Sequence, residues 1–267
     1  MSPNAVKNST TNAIVNQPAI ISPLSFGNAM TLRLYFMRHG ETAWSLSGQH
    51  TGRADLSLTV HGTTEAQRLG ERIQAIAFAH VFCSPLIRAR QTCQLAGLST
   101  NAIIDDDLAE WDNGDYEGMT HDDVIAVHAN WNLFRDGCPN GEMPADIGAR
   151  ADRLVHRFVA LDGNIAVFSH SHLGRVLAAR WINLAVENAE CFLLDTCSVS
   201  VLSHDREDGK PRSIMLWNWT PQILYPKSSS SLQQSQPAAT MKQQAIERWE
   251  NEGGELVVPS MLCSTDP

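Results

Sequence analysis

A chain of 267 residues with 43% apolar residues has interior enough for a packed core, which excludes global disorder. Its 29 acidic against 20 basic residues give a net charge of −9, which argues against bulk binding to nucleic acid or to an anionic membrane surface. No apolar run reaches the roughly 18 residues of a membrane-spanning helix, and the N-terminus lacks the basic-then-apolar order of a secretion signal.

In chain order, residues 1–30 carry a single charge, Lys7, among Asn, Ser, Thr and Pro, and sustain no structural period. They are expected to be a weakly ordered extension, and Met30, just before the first strand pattern, offers a second translation start. Residues 32–37 read as a strand ending at Arg38-His39-Gly40. A helix is predicted over 63–78, with Ala66, Leu69, Ile73 and Ile76 on one face. Residues 80–83 form a short buried strand, and a helix follows to about Leu98, opened by Ser84 as N-cap and Pro85 at the first helical position. A strand over 102–104 precedes helices over 120–128 and 144–161. A strand at 165–168 leads into a helix over 172–183. Runs 191–202 and 213–219 are expected to pair as a hairpin around Asp208-Gly209. From Lys227 the sequence is Ser- and Gln-rich, a polar linker followed by a short helical tail to 267.

Domain organisation is therefore one domain over 31–226 between two extensions. Alternating strands and helices predict a three-layer α/β/α sandwich with a mostly parallel central sheet. In such sheets a site lies at the carboxyl ends of the strands. Six cysteines without a CxxC pair or zinc-type spacing predict free thiols in a reducing cytoplasm. Asp105-Asp106-Asp107 reads as solvated carboxylates, and His170 and His172, two apart on a strand-to-helix turn, are poorly placed to share a metal. No metal and no cofactor are expected.

Reactive groups gather at those strand ends. The first strand ends in Arg38-His39-Gly40-Glu41-Thr42. The strand at 80–83 leads to Arg88 and Arg90, and that at 165–168 to Ser169-His170-Ser171-His172. A loop from Leu108 to Gly118 carries Glu110 with further carboxylates and glycines. Two histidines, two or three arginines and a carboxylate are expected to converge on one pocket.

Arg38-His39-Gly40 resembles the RHG signature of the histidine phosphatase superfamily, which includes the cofactor-dependent phosphoglycerate mutases. Ser84-Pro85-Leu86-Ile87-Arg88-Ala89-Arg90-Gln91-Thr92 resembles its second motif, and Glu110 and His172 stand where the family has its acid and second histidine. The resemblance implies a phosphoglycerate mutase-like fold and a phosphohistidine on His39. It further implies Arg38, Arg88 and a protonated His172 as cations around the phosphoryl, and Glu110 as acid and then base. Three positions depart from the pattern: Ser45 where many members have a phosphate-donating Asn, Ser171 where glycine is common, and Asn113 where Tyr is frequent.

Glu110 and His172 are only 62 positions apart. The mutases carry a longer insertion there, so the resemblance favours hydrolysis over phosphoryl return. Trp44 to Gly52, Glu110 to Gly118 and Trp131 to Glu142 are most similar to the sedoheptulose-1,7-bisphosphatase-like branch of bacterial and fungal phosphatases. That implies a small phosphorylated sugar or bisphosphate as substrate, with Thr51, Gly52 and Arg175 beside it. The residues 131–141 read equally as a capping loop, and Arg175 as a partner for a carboxylate. The alternatives are a phosphomutase and a phosphoprotein-directed member. No nucleic acid or membrane partner is expected, and a homo-oligomer is allowed.

Overall fold

The computed structural model describes residues 31–206 and 209–220. The two extensions, residues 221–226 and Asp208 of the expected turn lie outside the described residues. The chain order is β1 (Thr31–Arg38), α1 (Ala43–Ser47), α2 (Val60–Ile73), β2 (His80–Cys83), α3 (Ile87–Leu95), β3 (Ala102–Ile104), α4 (His121–Val127), α5 (Leu133–Asp136), α6 (Pro144–Val159), β4 (Asn164–Ser169), α7 (Ser171–Trp181), β5 (Val199–Asp205) and β6 (Ser213–Trp219). Six strands make one sheet in the order β3-β2-β4-β1-β5-β6. β1, β4, β2 and β3 are mutually parallel, while β5 runs antiparallel to β1, and β6 antiparallel to β5.

Strand alternation divides the core in two. Leu32, Leu34, Phe36, Ile165 and Val167 pack under α6 and α7 on one face. Tyr35, Met37, Val81, Ala166 and Phe168 pack under α2 and α3 on the other. The result is the expected three-layer sandwich with a mostly parallel sheet. Register then sets the site: Arg38 lies beside Ser169 and Cys83 beside Phe168, so the next residues, His39, Ser84 and His170, emerge at one edge.

Local departures from the sequence pattern have local causes. α2 starts at Val60 because the Thr59 side chain accepts from the Gly62 amide at 3.0 Å, and it stops at Ile73. Ile76 stays buried through one further turn, its amide donating to the Ile73 carbonyl. Ser84 and Pro85 do not open α3. Its first residue is Ile87, and the Ile87 amide donates to Asp55 Oδ1 at 2.6 Å, a cap from 32 residues away. Ser84 is drawn elsewhere, to His170. The run from Cys191 is not strand until Val199. A 3₁₀ turn over Val186–Cys191 and a loop with Cys197 at φ 50° come first. That loop braces the end of β1: the Cys197 amide donates to the His39 carbonyl, and Arg38 Nη1 to the Leu194 carbonyl at 2.6 Å.

Candidate active site

The turn after β1 is compressed by design of sequence. A Cβ on Gly40 would sit 2.6 Å from the Gly62 carbonyl oxygen, so only glycine lets this turn rest on the start of α2. The Gly40 amide donates to Thr92 Oγ1 at 3.0 Å, and that hydroxyl donates to the Arg88 carbonyl at 2.7 Å. His39, 4% exposed, pairs Nδ1 with the Gly40 carbonyl at 2.8 Å. A carbonyl only accepts, so Nδ1 carries the proton and Nε2 keeps its lone pair. Burial, with the Arg88 and Arg38 charges, pushes the His39 pKa well below the ordinary imidazole value. A neutral, oriented ring with a free Nε2 lone pair can act as a nucleophile.

Arg88 is fully buried and spends its donors on the protein. Nη1 donates to the Ala54 carbonyl, Nη2 to those of Gly52 and Thr51, and Nε to His170 Nδ1 at 3.1 Å. Burial brings its pKa down to about 10, which leaves it charged at neutral pH. His170 is fully buried, its ring centroid 5.3 Å from that of His39, and its Nε2 lies 2.7 Å from Ser84 Oγ. Because Nδ1 accepts from Arg88, Nε2 is the protonated nitrogen and donates to Ser84. Arg38 Nε is buried and makes no hydrogen bond within the protein.

Glu110 occupies the N-terminus of α7. Oε1 accepts from the Trp111 and Leu173 amides, both at 2.9 Å, and Oε2 from the His172 amide at 3.0 Å. Burial pushes its pKa up, but His172 and these three amides outweigh burial, and the carboxyl titrates below its ordinary value. His172 is the first of these lowering influences, and two of the three amides belong to the first turn of α7. His172 Nδ1 stands 3.7 Å from Glu110 Oε2 without a hydrogen bond. Burial takes the His172 pKa to about 4. The imidazole is therefore neutral at pH 7, not the cation expected from sequence, and it is His170 that stands next to His39.

The other expected site residues divide. Ser45 is committed to a capping box with Thr42, accepting from its amide at 2.9 Å and donating to its carbonyl at 3.0 Å. Thr51 and Gly52 serve through their carbonyls, as acceptors for Arg88. Gly52 also donates its amide to Glu117 Oε1 at 2.7 Å, and a Cβ there would meet the Trp111 carbonyl at 2.4 Å. Arg175 Nε and Nη2 donate to the Ala189 and Glu190 carbonyls, and its guanidinium lies over Phe134 at 4.5 Å. Carbonyls and an aromatic face thus hold it, rather than a carboxylate.

Residues 131–141 do cap the acid loop. The Asp115 amide donates to the Pro139 carbonyl at 2.9 Å, and Trp111 Nε1 to that of Glu142 at 2.9 Å. Arg150, 6% exposed, grips Glu142 through two donors at 2.9 and 2.6 Å. The same guanidinium donates to the Ala109 and Glu110 carbonyls. Neither residue stands out in sequence, since nothing local distinguishes this arginine from its neighbours on α6. Ser84 and Thr92 likewise carry no local signal of their hydrogen bonds here, although both lie inside a motif segment. Asp105 and Asp107 are paired with Arg157 and Arg153. Among the described residues no cluster of metal-ligating side chains occurs. A separate cavity of about 520 Å³ between β2, α3 and β3 is lined by Cys83, Ile87 and Arg90 and holds none of the groups above.

A neutral histidine on a glycine turn, the buried Arg88, the half-buried Arg38 and a carboxylate at the ends of the parallel strands suit phosphoryl transfer. The family model described as "Histidine phosphatase superfamily (branch 1)" matches residues 34–220, and the chain belongs to that superfamily and is a phosphatase. It is 36% identical over 191 residues to sedoheptulose 1,7-bisphosphatase of Saccharomyces cerevisiae, covering 60% of this chain and 70% of that protein. To an acid phosphatase of Mycobacterium tuberculosis it is 37% identical over 175 residues, covering 63% and 85%. The solved structure of a putative alpha-ribazole-5'-P phosphatase from Escherichia coli superposes with TM-score 0.63 at 30% identity, covering 72% of this chain and 97% of that one. No helix among the described residues is long and apolar enough to cross a membrane.

Proposed function

We propose that the enzyme hydrolyses phosphomonoesters of small hydroxylated molecules, sugar phosphates and bisphosphates among them, through a phosphohistidine on His39. The observation that carries this is the His39 Nδ1 to Gly40 carbonyl bond at 2.8 Å, which leaves Nε2 as a neutral nucleophile within the field of Arg88 and Arg38. In the first step the Nε2 lone pair forms the N–P bond as the ester P–O bond breaks. Arg38 and Arg88 balance the anionic phosphoryl, doing what a divalent cation does in other phosphoryl-transfer sites. In the second step water attacks phosphorus and the N–P bond returns its electrons to His39.

Glu110 gives a proton to the leaving oxygen in the first step and takes one from water in the second. Its lowered pKa means the free enzyme holds it ionised. The proton arrives with the substrate, whose phosphate has a second pKa of about 6; the monoanion's proton is shared with the carboxylate on binding. His170, not His172, is the second imidazole at the phosphoryl, its Nδ1 accepting from Arg88 Nε.

The test is direct. With ³²P-labelled substrate and an alkaline quench, label is expected on the His39 peptide, stable to base and lost in acid. His39→Ala with unimpaired turnover would falsify the assignment. Activity is expected to survive EDTA; its loss there would overturn the metal-free scheme. A mutase would instead require priming by 2,3-bisphosphoglycerate, and no such dependence is expected.

A further inference from the structure

Glu110 has one oxygen with room to act. Oε1 is held between two amides, whereas Oε2 accepts one and faces His172. A proton leaving Oε2 goes toward an oxygen beside His172, so the group attached to that oxygen lies on the His172 side of the site. There the His172 ring is followed by that of His50, centroids 6.1 Å apart. Neither ring makes a side-chain hydrogen bond, and His172 Nδ1 and His50 Nε2 are both buried without a partner. Buried polar atoms in a native fold are ordinarily satisfied, so two unbonded nitrogens on adjacent rings, one of them 3.7 Å from Glu110 Oε2, point to a ligand.

The rings are fixed in place. Trp131 meets His50 edge to face at 5.4 Å, and Phe134 meets His172 at 5.9 Å. Both walls come from the segment over 131–136 that sequence left between substrate contact and cap. We propose that His50 and His172 form a leaving-group subsite that hydrogen-bonds the hydroxyls of an uncharged polyol or sugar moiety. The proposal rests on the phosphatase reading and specifies its substrate.

The chemistry of the pair selects hydroxyls over a second phosphate. A neutral imidazole offers one donor and one acceptor, which a hydroxyl matches with its own. A second phosphate accepts only and would need cations. Burial keeps both rings uncharged at neutral pH. The adjacent cation, Arg175, already has two donor groups engaged by main-chain carbonyls.

The experiment compares kcat/KM for fructose 6-phosphate, fructose 1,6-bisphosphate and phenyl phosphate in wild type, His50→Phe and His50→Gln. His50→Phe keeps the ring against Trp131 and removes donor and acceptor. The ratio of fructose 6-phosphate to phenyl phosphate is expected to fall about tenfold, the order of one lost hydrogen bond to a neutral group. His50→Gln, which retains both functions, is expected to recover most of it and stands in should the Phe variant fail to fold. An unchanged ratio in both variants overturns the subsite, as does an equal fall for all three esters. A loss confined to the bisphosphate overturns the uncharged ligand. Wild type inactive on all three esters would instead sink the phosphatase reading itself.

Discussion

The two halves of the site are built on opposite principles. On the phosphoryl side most polar groups besides Arg38 Nε and the His39 Nε2 lone pair are engaged: Arg88 is held by three carbonyls and His170, His170 by Ser84, and His39 Nδ1 by its own turn. On the leaving-group side His172, next to Glu110, and the adjoining His50 present unbonded nitrogens. The first half is preorganised for one anion common to every substrate, so its geometry costs no reorganisation during reaction. The second is left unsatisfied, and the incoming molecule completes it. Reaction type and substrate choice are thus separable, and mutations can be ordered by which half they strike.

The largest effect belongs to the nucleophile. His39→Ala is expected to lower kcat by at least about 10⁴-fold for every ester, as removal of a covalent nucleophile does in other hydrolases; single-turnover assays check it. Next, Glu110→Gln should lower kcat by about 10²–10³-fold for alkyl phosphates and far less for p-nitrophenyl phosphate, whose leaving group needs little protonation. A uniform loss across leaving groups would place Glu110 outside proton transfer.

The pH dependence follows from the same carboxyl. Because Glu110 is ionised in the free enzyme, kcat/KM should track the substrate monoanion and fall as pH rises above about 6. Glu110→Gln should flatten that limb. His39, held neutral by burial and two arginines, should contribute no acid limb near 6.5.

Stability carries a further signature. His39, His170 and His172 have folded-state pKa values below their unfolded ones. Below pH 6.5 the unfolded chain takes up protons that the folded one refuses, so stability falls as pH drops. For His172, whose folded value is about 4, the slope is about 1.4 kcal/mol per pH unit over that window. Thermal melts at pH 7 and 5 measure it, and His172→Gln should shallow the decline. Finally, Glu142→Gln leaves Arg150 as a buried cation with a weakened partner, and should cost about 3 kcal/mol on denaturant unfolding. A kcat loss larger than the stability loss explains would show that the pair also positions Glu110.

Much of the phosphoryl half was legible in the chain. Arg38-His39-Gly40 ends a strand pattern, and Arg88 follows a second strand at a fixed distance, because period-2 runs and turn residues are local signals. The leaving-group half was not. His172 looked like the second histidine because a four-residue stretch with two histidines gives no cue to which faces inward. Ser84 looked like a helix cap because its pull toward His170, 86 residues away, is invisible locally.

The sequence by itself determined the alternation of strands and helices, the ends at which reactive groups collect, and the residue types that make phosphoryl chemistry possible. These depend on spacing along the chain, which a sequence states outright. Tertiary structure alone decided that His170 adjoins His39, that His172 and three main-chain amides lower the Glu110 pKa, and that the His50 ring lies against that of His172. Each of those rests on burial and on partners from distant segments, and the electrostatics of a buried group are set by what surrounds it in space.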